Sequence, residues 1–262
     1  MSPLLNLAAL QFEIAWEQPA ENRLRVEQEC DLLKPGVHLV ILPEMFTTGF
    51  SMQPERIAEP ENGETLKWAL SLSRKLDAAI VASWAVAQNG QFYNRLHFVT
   101  PLGTVQTYDK RHLFRMAGED KAFQPGSKPL VVEWLGWRIH LQICYDLRFP
   151  VWARNQLKQG TGYDLFVNVA NWPAVRSHHW RALLQARAIE NQAYVMGLNR
   201  VGVDGQQIAY TGESLLFDPQ GNLLADVGNK PGWLTATLDS QTLLAWRGRF
   251  PAWQDADSFQ LV

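Results

Sequence analysis

Short apolar runs alternate with helix-like segments along all 262 residues, and this alternation limits the possible folds more than any other feature of the chain. In the first half, the pattern predicts strands over 5–11 and 78–85 and helices over 19–33 and 61–75. No linker, low-complexity segment or internal repeat interrupts the pattern. The sequence therefore predicts a single α/β domain over 1–262.

The second half continues in the same order. It predicts helices over 150–159 and 177–191, strands over 165–170 and 193–200, and hairpins around 204–205 and 219–221. Helices that cover one face of each of two sheets would give a four-layer α-β-β-α sandwich. With 47% hydrophobic residues, the chain is long enough to bury a substantial core.

A thiol ends one of the apolar runs. Cys144 follows the run 139–143 and precedes Pro150, where a helix is predicted to begin. Open α/β sheets place reactive groups at the carboxyl ends of their strands. Free cysteine is also one of the most buried residue types and often acts as a small hydrophobic side chain. Cys144 is therefore a candidate nucleophile that needs support from its neighbours.

Two other strand ends carry charged residues. Glu44 follows the apolar run 38–42, and Lys110 follows a predicted hairpin over 98–108. Taken singly, each would be expected to be a solvated surface charge. Together with Cys144, they supply a base, a positive charge and a nucleophile from three strand ends.

These groups define a reaction. A thiol with a pKa of about 8.5 is mostly protonated at neutral pH, so it needs a base such as Glu44 or a positive field such as that of Lys110. Attack on a carbonyl creates an oxyanion, which the Lys110 ammonium and the backbone N–H of Tyr145 could stabilise. The same carboxylate could then activate water against the thioester. The products would be an acid and an amine or ammonia.

Three segments that contain these residues carry a family resemblance. The segments LPEMF at 42–46, YDKRHLF at 108–114 and CYDLRFP at 144–150 resemble the signature motifs of the nitrilase superfamily of carbon–nitrogen hydrolases. The resemblance extends over nearly the whole chain and implies a Glu-Lys-Cys triad in an α-β-β-α sandwich.

A second set of segments resembles one branch of that superfamily, the bacterial ω-amidases. These segments are 47–52, 169–173 and 250–257. The resemblance implies removal of ammonia from the terminal carboxamide of small 2-oxo acid monoamides such as 2-oxoglutaramate and 2-oxosuccinamate. Other branches hydrolyse N-carbamoyl amines, deaminated glutathione or nitriles with the same triad, so another amidase activity is the alternative.

The resemblance also implies further site residues. The superfamily carries a second glutamate beside the lysine, and Glu119 is the best match, although a solvated Glu119 is the alternative. Arg148 could hold its loop through Asp146, or it could bind a substrate carboxylate with its planar fork of donors. The remaining candidates for substrate binding are Tyr145, Asn171, Trp172 and Arg176.

Other chemistries fit the sequence less well. His140 lies four residues before Cys144 on one predicted strand, so their Cα atoms are about 13 Å apart and His140 cannot be its base. His112, His178 and His179 could approach only through folding. Neither a zinc-binding pattern nor a glycine-rich nucleotide loop is present. The sequence therefore predicts chemistry without a metal or cofactor.

Charge and composition exclude several partners. A formal net charge of −2 and a pI near 6.3 give no electrostatic signal for nucleic acid. No apolar stretch approaches the roughly 20 residues that span a bilayer, and the first residues lack the basic region of a signal peptide. Two cysteines do not form a disulfide framework. We therefore expect a cytoplasmic protein that binds a small-molecule amide, without nucleic acid or membrane partners.

The expected assembly is a homodimer. The superfamily pairs its subunits through helices beside the nucleophile, which correspond here to the predicted helices 150–159 and 177–191. The tail 246–262 is rich in tryptophan and phenylalanine but too short for another layer, so we expect it to pack across this junction. A non-catalytic relative with the same fold is a further alternative, although the intact triad argues against it.

Overall fold

A computed structural model describes residues 3–160 and 162–260 of the chain. The strands, numbered in chain order, are Leu4–Gln11 (β1), Leu39–Ile41 (β2), Glu59–Pro60 (β3), Ala79–Gln88 (β4), Gln91–Val99 (β5), Val105–Asp109 (β6), Leu130–Trp134 (β7), Trp137–Ile143 (β8), Leu165–Ala170 (β9), Tyr194–Asn199 (β10), Val201–Val203 (β11), Ala209–Thr211 (β12), Leu215–Phe217 (β13), Leu223–Asp226 (β14) and Gly232–Asp239 (β15). The α-helices are Pro19–Cys30 (α1), Pro54–Ile57 (α2), Glu64–Leu76 (α3), Glu119–Ala122 (α4), Ser177–Asn191 (α5) and Ser240–Arg249 (α6). Short 3₁₀ turns span Arg115–Ala117, Cys144–Arg148, Leu157–Gln159, Ala174–Arg176 and Ala252–Asp255.

The strands form two mixed sheets and a separate hairpin. The first sheet has the order β15-β1-β2-β4-β5-β6, with β3 paired to β4. The second has the order β14-β13-β10-β9-β8-β7, and β11 pairs with β12. The central pairs are parallel: β1 with β2, β2 with β4, β8 with β9, and β9 with β10. The pairs toward the ends of both strand orders are antiparallel, whereas the short β3 pairs with β4 in parallel.

The alternation of side chains along the strands creates three apolar layers. Ile41 and Val167 face the core between the two sheets, because odd and even residues of a strand point to opposite faces. Val40 faces the helices α1 and α3. Phe166 packs with Trp180 under α5. Burial on both faces explains the continuous apolar runs of the central strands, and the predicted four-layer sandwich is confirmed.

Several predicted elements agree closely with the structure. β9 and α5 occupy the predicted ranges 165–170 and 177–191. The two predicted hairpin turns connect β11 to β12 and β13 to β14. The helix predicted over 61–75 instead begins at Glu64.

The helix predicted over 150–159 is wrong, because this segment contains only the 3₁₀ turn Leu157–Gln159. Side-chain contacts hold the segment in an irregular conformation. Arg154 donates to the carbonyl of Glu190 at 2.9 Å, and the backbone N–H of Asn155 donates to the side chain of Asn191 at 2.8 Å. These long-range hydrogen bonds to α5 override the local helical pattern.

The predicted tail begins inside a helix, since residues 246–249 form the end of α6. Beyond α6, the N–H of Trp253 donates to the Gln192 side chain at 3.2 Å, and the Gln192 amide donates to the carbonyl of Phe250 at 2.7 Å. The described part of the tail therefore packs on its own chain. The last two residues of the predicted tail, 261 and 262, lie outside the described residues. In the described ranges, no helix combines the length and apolar character needed to cross a membrane.

Candidate active site

Three strand ends bring the predicted triad together. Glu44 lies shortly after β2, Lys110 directly after β6, and Cys144 directly after β8. β2 and β6 run in the same direction in the first sheet, while β8 belongs to the facing sheet. The carboxyl ends of these strands therefore deliver the three side chains to one place between the sheets.

Lys110 is the centre of a buried charge network. Its Nζ donates to Oε1 of Glu44 at 2.8 Å and to both carboxylate oxygens of Glu119 at 2.9 Å, and all three side chains are fully buried. Burial alone would lower the pKa of Lys110, but the charges of Glu119 and Glu44 outweigh it and raise the pKa. Lys110 is therefore a permanent ammonium.

Glu119 joins this network instead of facing solvent. It lies at the start of the short helix α4, and one of its carboxylate oxygens accepts from the backbone N–H of Phe114 at 2.6 Å. Burial raises the pKa of Glu119, and the adjacent Lys110 opposes that rise. Its geometry fits the second glutamate that the resemblance implies.

Four hydrogen bonds fix the Glu44 carboxylate. Oε1 accepts from Lys110 and from the side-chain amide of Asn94 at 2.9 Å, and Oε2 accepts from the backbone N–H of Asn171 at 2.8 Å and from the Asn171 side-chain amide at 3.4 Å. The Asn171 amide also donates to the backbone carbonyl of Glu44 at 2.6 Å. Asn94 is absent from the sequence-based set. Little in the sequence marked it, because Asn94 stands next to Arg95 in a strand of mixed polarity.

Cys144 begins a sharp turn. Its φ of +44° lies in the left-handed region, which non-glycine residues rarely adopt, and it opens the 3₁₀ turn Cys144–Arg148. The first N–H groups of such a turn have no partner within it, so they are suited to bind an oxyanion. Backbone strain of this kind is concentrated at functional sites.

The Cys144 thiol is neutral at rest. Burial and the Glu44 carboxylate raise its pKa well above the usual value, and the Lys110 ammonium only partly opposes this. The thiol also donates to the backbone carbonyl of Asn171 at 3.8 Å, which favours its protonated form. The arrangement therefore suits transfer of the proton to Glu44 during attack, and not a preformed thiolate.

Asp146 anchors the nucleophile turn, but not through Arg148. Its carboxylate accepts from the Tyr108 hydroxyl at 2.7 Å, the His112 N–H at 2.9 Å and the Ile143 N–H at 3.1 Å. The structural role considered for Arg148, bonding to Asp146, is therefore wrong. The three donors occupy both oxygens of the Asp146 carboxylate.

Arg148 instead reaches the pocket next to Cys144. Its guanidinium lies 4.7 Å from the centre of the Trp172 ring, and Nη2 is 3.1 Å from Nδ1 of His179. Arg176 lies over the Phe114 ring at 5.3 Å in the same pocket. Among the described residues, neither arginine forms an ion pair with a carboxylate.

The pocket gathers all the predicted substrate-binding residues and several that the sequence did not indicate. Its predicted members are Lys110, Cys144, Tyr145, Arg148, Asn171, Trp172 and Arg176. The main additions are Phe50, Met52 and Phe114, together with Asp204 and Tyr210 from the β11–β12 hairpin. The sequence predicted this hairpin but not its place in the pocket wall, because that contact depends on where the chain goes after β10 leaves the second sheet.

The histidines have other partners. His140 is buried, and its Nε2 lies 2.9 Å from the amide of Gln142, while Nδ1 of His112 lies 2.7 Å from Asp146. These contacts give no support to a Cys–His dyad. Within 3–160 and 162–260, no group of three or more histidine, cysteine, aspartate or glutamate side chains is placed to hold a metal.

The family model for carbon-nitrogen hydrolases matches residues 6–248 of this sequence. The chain belongs to the carbon–nitrogen hydrolase family. Its nitrilase-type fold is shared with a CN-hydrolase superfamily protein from Xanthomonas campestris that carries an arsenic adduct in its active site. The two have a TM-score of 0.96 and 41% sequence identity, with 99% of each chain covered.

Several relatives of this carbon–nitrogen hydrolase have named amidase activities. The omega-amidase YafV of Yersinia enterocolitica is 47% identical over 264 residues, covering 98% of this chain and 99% of the relative. The 2-oxoglutaramate amidase of Bacillus subtilis is 33% identical over 252 residues, covering 95% and 96% respectively.

Proposed function

We propose that this carbon–nitrogen hydrolase is an ω-amidase that converts small 2-oxo acid monoamides, such as 2-oxoglutaramate and 2-oxosuccinamate, to the acid and ammonia. The observation that carries the proposal is one pocket that contains both Cys144 and two arginines, Arg148 and Arg176, that form no ion pair with a carboxylate of the described residues. Cys144 attacks the carboxamide of the substrate, and the two arginines bind the carboxylate at the other end of the substrate. The names of the relatives above support the same substrate class.

Acylation begins with proton transfer from Cys144 to Glu44. The sulfur then forms a bond to the carboxamide carbon, and the carbonyl oxygen becomes an oxyanion between the Lys110 ammonium and the Tyr145 N–H. Removing one such donor costs about 3–4 kcal/mol of transition-state stabilisation. Glu44 returns the proton to the leaving nitrogen, the C–N bond breaks, and ammonia departs from a thioester.

Deacylation uses the same carboxylate. Glu44 takes a proton from water and the resulting hydroxide attacks the thioester. The C–S bond then breaks, and Glu44 returns the proton to the leaving sulfur, which restores the thiol and the carboxylate. Glu119 holds the other side of Lys110 with two hydrogen bonds and so keeps the ammonium aimed at the oxyanion. Asn94 and Asn171 keep the Glu44 carboxylate in place through both steps.

The substrate carboxylate is bound at the other end of the pocket. Arg148 and Arg176 are the cationic groups of the pocket wall apart from Lys110, which its two glutamates occupy. Each guanidinium is supported by an aromatic ring, Trp172 or Phe114, and such stacking presents the donors of the fork in a fixed orientation. A charge-assisted contact of this kind contributes about 1.5–3 kcal/mol.

Ammonia release over a panel of amides tests the substrate class. We expect kcat/KM for 2-oxoglutaramate and 2-oxosuccinamate to exceed that for N-carbamoyl amines, deaminated glutathione, aliphatic nitriles and uncharged amides by at least about tenfold. A preference for an N-carbamoyl amine or deaminated glutathione would replace the ω-amidase assignment with another amidase activity. If no compound is hydrolysed and Cys144 does not react rapidly with a thiol reagent, the chain is a non-catalytic relative.

The assembly that we propose is a homodimer around α5 and the segment after the nucleophile turn. Val151, Ile189 and Phe250 are apolar side chains of this region, and each is more than half exposed at 55%, 53% and 54%. Exposed apolar groups on neighbouring elements favour burial against a second copy. The tail would pack beside this surface. Two free cysteines are consistent with the cytoplasmic location that the sequence predicts.

A further inference from the structure

The β11–β12 hairpin forms one wall of the pocket and carries its acidic group. Asp204, Ile208 and Tyr210 from this hairpin line the same pocket as Cys144. Tyr210 is close enough to Cys144 for a charge on the thiol to raise the pKa of the phenol. Among the described lining residues, Asp204 is the one with a carboxylate side chain.

Hydrogen bonds occupy both oxygens of that carboxylate. Oδ1 of Asp204 accepts from the backbone N–H groups of Gln206 at 2.8 Å and Ile208 at 2.9 Å. Oδ2 accepts from the Tyr210 hydroxyl at 2.8 Å. Burial and the Asp204 charge raise the pKa of Tyr210, so the phenol remains a donor. Asp204 is only 4% exposed and is held by three donors.

A buried cation also compensates the Asp204 charge. Arg200 is fully buried, and its guanidinium lies 4.8 Å from the centre of the Tyr210 ring. Its attraction to Tyr210 and Asp204 opposes the lowering of its pKa by burial. The charges of the hairpin wall therefore cancel, whereas no carboxylate of the described residues pairs with Arg148 or Arg176.

These contacts affect which group the pocket can accept at C2 of the substrate, the carbon next to its carboxylate. A 2-oxo acid monoamide and the matching amino acid amide, such as 2-oxosuccinamate and asparagine, differ only at C2. A ketone there needs a hydrogen-bond donor, which the arginines supply. An ammonium needs a free acceptor, and leaving a charged group without one in a desolvated pocket is costly.

We propose that the Asp204–Tyr210 pair is a specificity-determining element that excludes 2-amino acid amides by keeping the acidic group of the pocket wall occupied. This inference rests on the proposed ω-amidase function. Tyr210 withholds the carboxylate from the substrate, and the two arginines repel an ammonium while accepting a ketone. Sites with buried polar groups matched to one substrate can reject the wrong partner by several orders of magnitude.

The test compares kcat/KM for 2-oxosuccinamate with that for asparagine. Tyr210→Phe removes the phenolic donor and frees Oδ2 of Asp204. We expect the ratio of the two constants to fall at least about fivefold, with kcat/KM for asparagine itself increasing. Asp204→Asn keeps an oxygen for the two backbone N–H groups but removes the negative charge, which leaves the Arg200 cation uncompensated. The ratio of kcat/KM for 2-oxosuccinamate to that for asparagine should therefore rise. Tyr93→Phe is the matched control, since that hydroxyl contacts Gln91 on the exposed end of β5, and the ratio should stay constant.

A double variant tests the cause of the gain. Combining Asp204→Asn with Tyr210→Phe should abolish the increase in asparagine hydrolysis, because the freed acceptor is then uncharged. A purely structural role for Tyr210 would change both substrates by the same factor and leave the ratio constant, which overturns the inference. If Tyr210→Phe does not fold, an unchanged ratio in Asp204→Asn overturns it equally.

The wild-type rates distinguish a failure of the proposed function from a failure of the inference about the hairpin. If the wild-type protein hydrolyses neither 2-oxo acid monoamide, the proposed function fails. If it prefers 2-oxosuccinamate but the ratio does not respond to Tyr210→Phe or Asp204→Asn, only the inference about the hairpin fails.

Discussion

Replacing Glu44 with glutamine separates the chemical role of this residue from its structural role. Glutamine keeps the size of the side chain but has one oxygen and one NH₂ group. Oε1 of Glu44 faces two donors, Lys110 and Asn94, while Oε2 faces the N–H of Asn171. Glutamine can therefore satisfy one side only, and its oxygen should turn toward the charged donor.

The cost to stability follows from this geometry. The NH₂ group is then placed against the buried N–H of Asn171, so one buried donor loses its acceptor. Such a loss costs about 1–3 kcal/mol. For a chain of this size, each kcal/mol lowers the unfolding midpoint by about 2–4 °C, which gives a total decrease of about 2–12 °C. The protein should still fold at room temperature.

The loss of activity should be much larger. A general base contributes about 100- to 10,000-fold to a single step, and Glu44 serves both acylation and deacylation. We expect kcat to fall at least about 1,000-fold, with no burst of ammonia in rapid-quench measurements. An acyl-enzyme that forms quickly but is not hydrolysed would show that Glu44 acts only in the second half of the reaction.

Glu59→Gln is the matched control. Glu59 is partly buried and accepts from the N–H of Thr65 at 2.7 Å and from Arg23 at 3.3 Å, so its replacement should also lower the unfolding midpoint. It lies outside the pocket, and kcat should remain within about twofold of wild type. A Glu44→Gln variant with kcat within tenfold of wild type would refute the proposed mechanism.

Three further outcomes are expected. Cys144→Ala should abolish turnover and the reaction with iodoacetamide, and its circular dichroism spectrum should match that of the wild type. A chelator should not affect the wild-type rate, and full inactivation by the chelator would contradict chemistry without a metal. Burial lowers the pKa of His97 to about 3 and that of His140 to about 4, so the unfolded chain binds protons first as the pH falls below about 6.5. The free energy of unfolding should therefore decrease on acidification by up to about 1.4 kcal/mol per pH unit for each histidine, and His140→Gln should flatten this dependence in urea titrations between pH 6.5 and 5. Light scattering at micromolar concentration should give the mass of a dimer, and Ile189→Glu should shift it toward that of a monomer; a monomeric wild-type mass would contradict the proposed assembly.

Local patterns predicted the regular parts of the fold. β9 and α5 could be located to the residue, because β9 is a short apolar run that is buried along its whole length and α5 is a long run of helix-forming residues with Trp180, Leu184 and Ala188 on its buried side. The segment 150–159 could not, because Arg154 and Asn155 bond to α5 more than thirty residues later in the chain. Local propensity contains no information about such partners.

Single residues at the ends of strands made the reactive groups visible in the sequence. Glu44 and Cys144 each follow an apolar run and Lys110 follows a predicted hairpin, so all three could be placed at strand ends from the sequence. That the two sheets face each other with these ends together is a property of the tertiary structure. Glu119 was identified only as a match to a family pattern, since a charged residue on a polar loop would ordinarily be solvated. Its burial against Lys110 depends on the position of α4 over the end of β6.

The sequence by itself thus determined which chemical groups the protein carries and on which strand ends they lie, because the ends of apolar runs and the order of the elements along the chain can be read locally. Only the tertiary structure decided what surrounds them. Asn94 fixes Glu44, and Tyr210 occupies Asp204, through contacts between elements far apart in the chain. These hydrogen bonds, with lengths of 2.9 and 2.8 Å, depend on packing that no local pattern encodes. The orientation of the catalytic groups and the selectivity of the pocket therefore follow from the fold as a whole.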